Sequence, residues 1–542
     1  NKPGNSFDDL DETDFPTMVK KNDRMVQLQH DLMNYPLLYA VSVGGLSKSV
    51  QNFFRTVTGD IQSNKQLKPM NNRERFIVAL PVIGTGGGGY ARHTGQVLRT
   101  YLSEILEYLE KNTLFDVILC VYDRPTLITA QKIRSELLEE YFSALVQQSP
   151  VGLPKGFNVF TYADDIARKI ANDKLVLFIG GDSSQECGIP TTEQVMDIIA
   201  TKLGIDITTA SWEGSDVLSR TEVIRLRCEK KGETLGNLIA DELRDHRNPL
   251  QMLYLAGLQC SSVITTNYHQ VYESCVHSIK GAEEISIIPT KITKHAKKWL
   301  LKLKGCTSKP TSIIATREDL LRYVETNAAL AGIVQAKLLT SHLFLVGFSL
   351  NDETFHQIMD SMVKGQRNTT TCVGTSLQPL YNHFTSELWN PLIQCVSMRE
   401  APQAQATDTL AQEAYRLSDI FLDLLLLQNT SYDSGYLLDD RFNHVLSNDE
   451  TKLKEALITL ADELYASKNT YNLDRWPIIK NTFEQYGWKS GFKRKTEIPA
   501  GVRAQIQGFA FRSTSITSKS KQVVSELCKK ANCCNPACSF RH

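Results

Sequence analysis

Apolar residues along the chain fall into two rhythms, short continuous runs and longer stretches with apolar positions three and four apart. Alternating runs of these kinds predict β-strands joined by helices. The run RFIVALPVI, from Arg75 to Ile83, has strand length and ends in Gly84-Thr85-Gly86-Gly87-Gly88-Gly89. From Gln96 to Leu109, Val97, Leu98, Leu102, Ile105, Leu106 and Leu109 keep to one helical face, and Phe115 to Val121 reads as the next strand. Strand, glycine loop, helix and strand predict a parallel pair with a crossover helix. The same grammar returns with a helix over 164–172, a strand Leu175 to Ile179 running into Gly180-Gly181, and a helix from Thr192 to Leu203. A long helical stretch then reaches about 258, followed by short β-rich runs at 262–266 and 342–348. These predict a second open α/β sheet with a polar rim at the carboxyl ends of its strands.

Residues 405–487 are helical in pattern, with Leu417, Ile420, Phe421 and Leu424 on one face and Leu453, Ala456, Leu457, Leu460 and Leu464 on another. An acidic arm precedes the globular text at 1–24, and a basic, Ser/Thr-rich linker follows it at 488–521. No repeat of solenoid period is evident.

Composition narrows the partners. With 542 residues, the chain is long enough for several cores. Sixty Lys+Arg balance sixty Asp+Glu, which excludes a global basic footprint for duplex nucleic acid but allows a local basic patch. Hydrophobic residues at 42% and charged residues at 22% describe a folded chain. The longest apolar run, Leu417 to Leu427, is broken by Ser418, Asp419 and Asp423, so no membrane span is expected. The chain opens on Asn1 rather than Met, and targeting is not read from it. Eight cysteines stand singly between Cys120 and Cys395 without a CxxC pair, the usage of a reducing compartment. An intracellular location, cytoplasmic or nuclear, is expected.

Two short segments could carry chemistry. In the loop Gly84 to Gly89, successive backbone N–H groups lie at the start of a helix without Cβ atoms, which suits a phosphate. No Lys-Ser/Thr follows, so it is not a Walker A loop; the alternative is a tight turn without a ligand. The tail CKKANCCNPACSFRH places Cys528, Cys533 or Cys534, Cys538 and His542 in a spacing that completes a tetrahedral Zn²⁺ site. A segment this short has too small a core to fold without metal, the alternative being a metal-free cysteine-rich tail.

Several stretches resemble known families. ALPVIGTGGGGY, followed by a helix and FDVILCVYD, resembles the phosphate loop and next strand of macro domains, which bind ADP-ribose. Four ordered segments resemble the SIR2 (sirtuin) family: LFIGGDSSQECGIP at 177–190, VITTNY at 263–268, KLKGCTSKPTSIIATREDL at 302–320 and FLVGFSLND at 344–352. No paired cysteines lie between 190 and 345, so the likeness is to the zinc-free SIR2 domains that hydrolyse NAD in antiviral defence rather than to deacylases. NPACSFRH resembles the end of CCCH zinc fingers, which implies RNA contacts through Phe540 and Arg541.

Together these resemblances imply an α/β fold with two macro-like or Rossmann-like parallel-sheet domains, a helical region and a zinc-stapled tail. The implied domains are macro-like at 25–155, SIR2-like at 156–404, a helical region at 405–487 completing the SIR2 unit, and a zinc finger at 522–542. An NAD or ADP-ribose-type ligand would meet Gly180, Gly181, Ser183, Gly188, Ile189, Pro190, Thr265, Asn267, Gly347 and Ser349. The macro-like ligand would meet Gly84, Thr85, Gly86, Gly87, Gly88 and Gly89. Partners implied are RNA or a ribonucleoprotein at the tail and a second copy of the chain.

Three positions depart from the family pattern. Asp182 puts a carboxylate where the phosphate loop carries glycine, His269 takes the acidic position after Asn267, and Lys304 stands where the catalytic His is expected. A lysine near its ordinary pKa of about 10.4 is charged at neutral pH and cannot accept a proton. These changes imply impaired catalysis, a nucleotide-binding or scaffold protein. The alternative is an NAD glycohydrolase gated through the macro-like domain, with Asn267 orienting the ribose and His269 as the base.

Overall fold

Val26–Gln27 (β1) and Tyr39–Ala40 (β2) form a short antiparallel pair. Phe76–Pro81 (β3) and Phe115–Cys120 (β4) pair in parallel, Phe76 opposite Phe115 and Pro81 opposite Cys120. The computed structural model describes residues 26–27, 39–40, 45–65, 67–69, 73–82, 90–121, 123–138, 150–153, 156–244, 248–279, 285–365, 372–400, 408–466 and 477–488. They fall into two units, one drawn from Phe7–Pro69, Arg75–Leu138 and Asp433–His542, the other mainly from Glu139–Tyr432.

In the first unit the crossover expected from the sequence is present. The helix Thr94–Lys111 joins β3 to β4 and buries Val97, Leu98, Tyr101, Leu102 and Ile105, the apolar face of its period. The helix Leu46–Ser63 adds Val50, Phe53, Phe54 and Val57, and Phe54 stacks on Tyr108 and Phe115 with centroids 4.9 and 5.9 Å apart. Among the described residues, the parallel sheet of this unit has only the strands β3 and β4.

The segment after Asp433 completes this core, whereas the helical pattern of 405–487 assigns all of it to the other unit. Phe442 and Val445, in the turn Asp440–Val445, pack against Leu98, Leu102, Ala130 and Ile133. Ion pairs fasten the segment to the helix Arg124–Leu137: Arg124 to Asp433, Lys132 to Glu450, and Arg441 to Asp123 at the helix N-cap, each 2.8 Å. An apolar pair three residues apart within a polar sequence carries little periodic signal, which explains the difference.

The second unit is built on seven strands: Leu175–Ile179 (β5), Ser262–Thr265 (β6), Ile285–Ile288 (β7), Lys298–Lys302 (β8), His342–Val346 (β9), Gly374–Tyr381 (β10) and Ile393–Glu400 (β11). Their order is β11-β10-β9-β5-β6-β8-β7, and every neighbouring pair is parallel. All of β5 is buried, as a central strand covered on both faces requires. Alternation along β5 sends Val176 and Phe178 to one face, where they meet Val334, Leu338, Phe348, Phe355 and Trp389. On the opposite face, the helix Val159–Ala171 packs against the helix Asp408–Ser431, and its Tyr162 hydroxyl meets Thr375 Oγ1 at 2.6 Å.

Between β5 and β6 the chain builds a helical module. The helices Thr192–Lys202, Val217–Lys231 and Leu235–Glu242 share a core of Val195, Ile199, Trp212, Ile224 and Ile239. Ile189 and Tyr268 pack on its edge, so the module borders the carboxyl ends of β5 and β6.

Candidate functional site

Strand order reverses at β5, because β6 lies on one side and the much later β9 on the other. In open α/β sheets the crevice at such a reversal, outside the carboxyl ends of the strands, is where ligands bind. Here the two strand ends are drawn close together. Gly180 N donates to Val346 O at 3.0 Å, and Asp182 N donates to Gly347 O at 2.9 Å. A Cβ on Gly180 would lie 2.2 Å from Gly347 O, and one on Gly347 (φ +60°) would lie 2.3 Å from Ser183 N. Neither position can carry a side chain.

The Gly180 carbonyl collects the polar groups of the loop. It accepts from Ser183 Oγ at 2.7 Å and from Asn267 Nδ2 at 3.0 Å. Thr265 Oγ1 donates to Ile179 O at 2.8 Å and accepts from Asn267 N at 3.0 Å. Gly180, Ser183, Thr265, Asn267 and Gly347 therefore meet at one point. A Cβ on Gly181 would find only Asn267 Oδ1, at 3.8 Å, so space stands open above this glycine. Gly188 (φ +76°) also faces open space. Ile189 turns into the helical module, Pro190 is half-buried, and exposed Ser349 accepts from Asn351 N at 3.4 Å. Asp182 is exposed at the start of the turn Gly181–Cys187.

Lys304, at the position where the resemblance implies a catalytic His, is committed to another contact. Its Nζ lies 2.5 Å from Asp352 Oδ2, with both side chains largely buried. The backbone around it is fixed as well. Lys304 O accepts from Ile314 N at 3.0 Å, and a Cβ on Gly305 (φ +89°) would lie 2.0 Å from Ser312 O.

His269 is 6% exposed and its Nδ1 accepts from Val271 N at 3.4 Å, at the entrance to the helix Val271–Ser278. Tyr268 donates its hydroxyl to Ile314 O at 2.8 Å; burial, then Asp352 and Asp319, push the phenol's pKa up, so it stays protonated. The loop carrying Asn267 also receives Lys302, which is buried and paired with Glu273 at 2.9 Å. Sequence reasoning assigned no role to Lys302, Glu273 or Asp352. The available signal was a lysine closing the apolar strand KWLLK and an acidic residue in the turn of helix after His269.

The open space above Gly181 thus lies beside Asn267 Oδ1, while Asn267 Nδ2 and the Ser183 hydroxyl both donate to Gly180 O. Asp182 adds an exposed carboxylate next to Gly181. The expected macro-like contacts Gly84 to Gly89 lie outside the described residues, as do the expected zinc ligands Cys528, Cys533, Cys538 and His542. Among the described residues, no group of His, Cys, Asp and Glu is placed to hold a metal ion, and no helix is long and apolar enough to cross a membrane.

Residues 261–382 match the SIR2-like domain family. The match takes in β6 to β10, with Asn267, Lys304 and Gly347 inside it and the loop after β5 preceding it. With the reversed parallel sheet, it supports an NAD-binding fold. No curated protein matches the chain.

Proposed function

We propose that the seven-stranded unit binds an NAD- or ADP-ribose-type nucleotide at the β5–β9 crevice and turns it over poorly or not at all. The observation that carries this reading is the Lys304–Asp352 ion pair, where the SIR2-like match would lead one to expect a general base. An ammonium held by a carboxylate has no lone pair with which to take a proton. The nucleotide, when bound, supplies the anionic pyrophosphate and the reactive ribose. The chain's own part is to hold Asn267 toward that ribose and to present Gly180, Gly181, Ser183 and Gly347 to the phosphates. His269 offers a weak replacement as base, because its Nδ1 is already engaged by Val271 N.

The C-terminal tail extends this reading to a scaffold, with a Zn²⁺ site from Cys528, Cys533, Cys538 and His542 and RNA as its partner. The two parts are tested separately. Calorimetric titration with NAD and ADP-ribose, beside nicotinamide release, tests the crevice with Asn267→Ala as control. Binding without release supports the proposal, and Asn267-dependent release replaces it with the glycohydrolase, His269 being the next residue to change. RNA retention that survives a chelator and Cys538→Ala would sink the tail assignment.

A further inference from the structure

The side chain of Lys302 is 0% exposed and that of its partner Glu273 is 4% exposed, so a complete ion pair lies in the interior at the carboxyl end of β8. Such a pair is an uncertain source of stability, because removing both charges from water offsets their attraction, and apolar residues often serve a fold as well or better. What it does here is directional. Lys302 Nζ donates to His269 O at 2.6 Å, to Glu273 Oε1 at 2.9 Å and to Tyr268 O at 3.2 Å. Every hydrogen of the ammonium thus has an acceptor, and two of the acceptors are backbone carbonyls of the loop that follows Asn267. Glu273, in the first turn of the helix Val271–Ser278, neutralises the ammonium where the helix dipole also favours a carboxylate.

The same loop is tied at its other end. Asn267 N donates to Thr265 Oγ1 and Asn267 Nδ2 to Gly180 O, each at 3.0 Å. Thr307 N donates to Tyr268 O at 2.9 Å, so that carbonyl is shared between the Thr307 amide and the ammonium. The geometry points to Lys302 as a positioning residue for the nucleotide site. Neutralised by Glu273, it fixes the Tyr268 and His269 carbonyls and so holds Asn267 with its amide on Gly180. This inference rests on the reading that the crevice binds a nucleotide. Lys302 touches no ligand in this role; it acts through Asn267.

The test uses the full chain with Lys302→Met/Glu273→Leu, which removes both charges together, because Lys302→Met alone would strand a buried carboxylate and could fail to fold. Thermal unfolding establishes that the double variant is folded. Hydrogen exchange of the segment 266–271 and titration with ADP-ribose are then compared with the wild type. The expected result is an unfolding midpoint near that of the wild type, exchange in the loop faster by roughly tenfold or more, and ADP-ribose binding weaker by roughly tenfold. A folded double variant with unchanged loop exchange, or with faster exchange but unchanged affinity, overturns the assignment. A double variant that does not fold also overturns it, by making the pair a structural requirement. A wild type that binds neither ADP-ribose nor NAD sinks the nucleotide reading, and the exchange comparison alone then decides whether Lys302 orders the loop.

Discussion

Asp352 serves two elements at once: its Oδ2 lies 2.5 Å from Lys304 Nζ and its Oδ1 accepts the N–H of Phe355 at 3.1 Å, in the first turn of the helix Glu353–Gly365. The carboxylate therefore stays in place whether or not Lys304 is present, and any replacement at 304 inherits it.

Restoring a base should accordingly need two changes. Lys304→His alone is expected to leave nicotinamide release at background, because the adjacent carboxylate favours the imidazolium. Lys304→His with Asp352→Asn keeps an acceptor for Phe355 N and frees the imidazole, and release should rise above the wild type. Equal release from the single and paired variants would show that Asp352 does not govern the protonation of this position.

Asp182 should weaken nucleotide binding through like charge. Asp182→Asn is expected to tighten ADP-ribose binding by about 1 kcal/mol, roughly fivefold, at low salt, with most of the gain lost at high salt. Calorimetric titration at two ionic strengths checks this. A gain independent of salt would point away from charge.

Glycines at the crevice should differ sharply in tolerance. Gly347→Ala drives a Cβ to 2.3 Å from Ser183 N and should cost at least about 3 kcal/mol in urea unfolding. Gly188→Ala, with φ +76° but nothing within 4 Å, should cost only about 1–2 kcal/mol. Similar costs at the two sites would contradict the close approach of β5 and β9.

His342, at the start of β9, should make the seven-stranded unit sensitive to acid. Burial, helped by Lys169, pushes its pKa down to about 4 from an ordinary 6.5. The unfolded chain takes up the proton near the ordinary value while the folded chain resists it. The contribution is therefore complete above about 6.5 and is lost as pH falls toward 4, by at most about 3 kcal/mol. Unfolding midpoints across this window should fall with pH in the wild type and less steeply in His342→Gln. Parallel profiles would remove His342 as the cause.

Much of this architecture was legible in the chain because periodicity is a local property. The run Leu175 to Ile179 into Gly180-Gly181 identifies a buried strand meeting a backbone turn, and Thr265-Thr266-Asn267 closes another such strand with polar groups. In the fold the two strand ends meet at one crevice. The face of Thr94–Lys111 was equally plain from its apolar spacing.

What the sequence determined by itself was which segments become strands and helices, and which residues end them, since side-chain spacing and glycine placement act over a few neighbours. Tertiary structure decided which of those ends meet. Lys302 and Glu273 are 29 positions apart, and Lys304 and Asp352 are 48 apart. Each pair joins because the parallel crossovers return the chain to the same edge of the sheet. Phe442 and Val445 likewise acquired their core only when their turn met Leu98 and Ile133. A charge or a short apolar pair has no period of its own, so its partner is set by strand order and burial, where desolvation makes an unpaired charge costly.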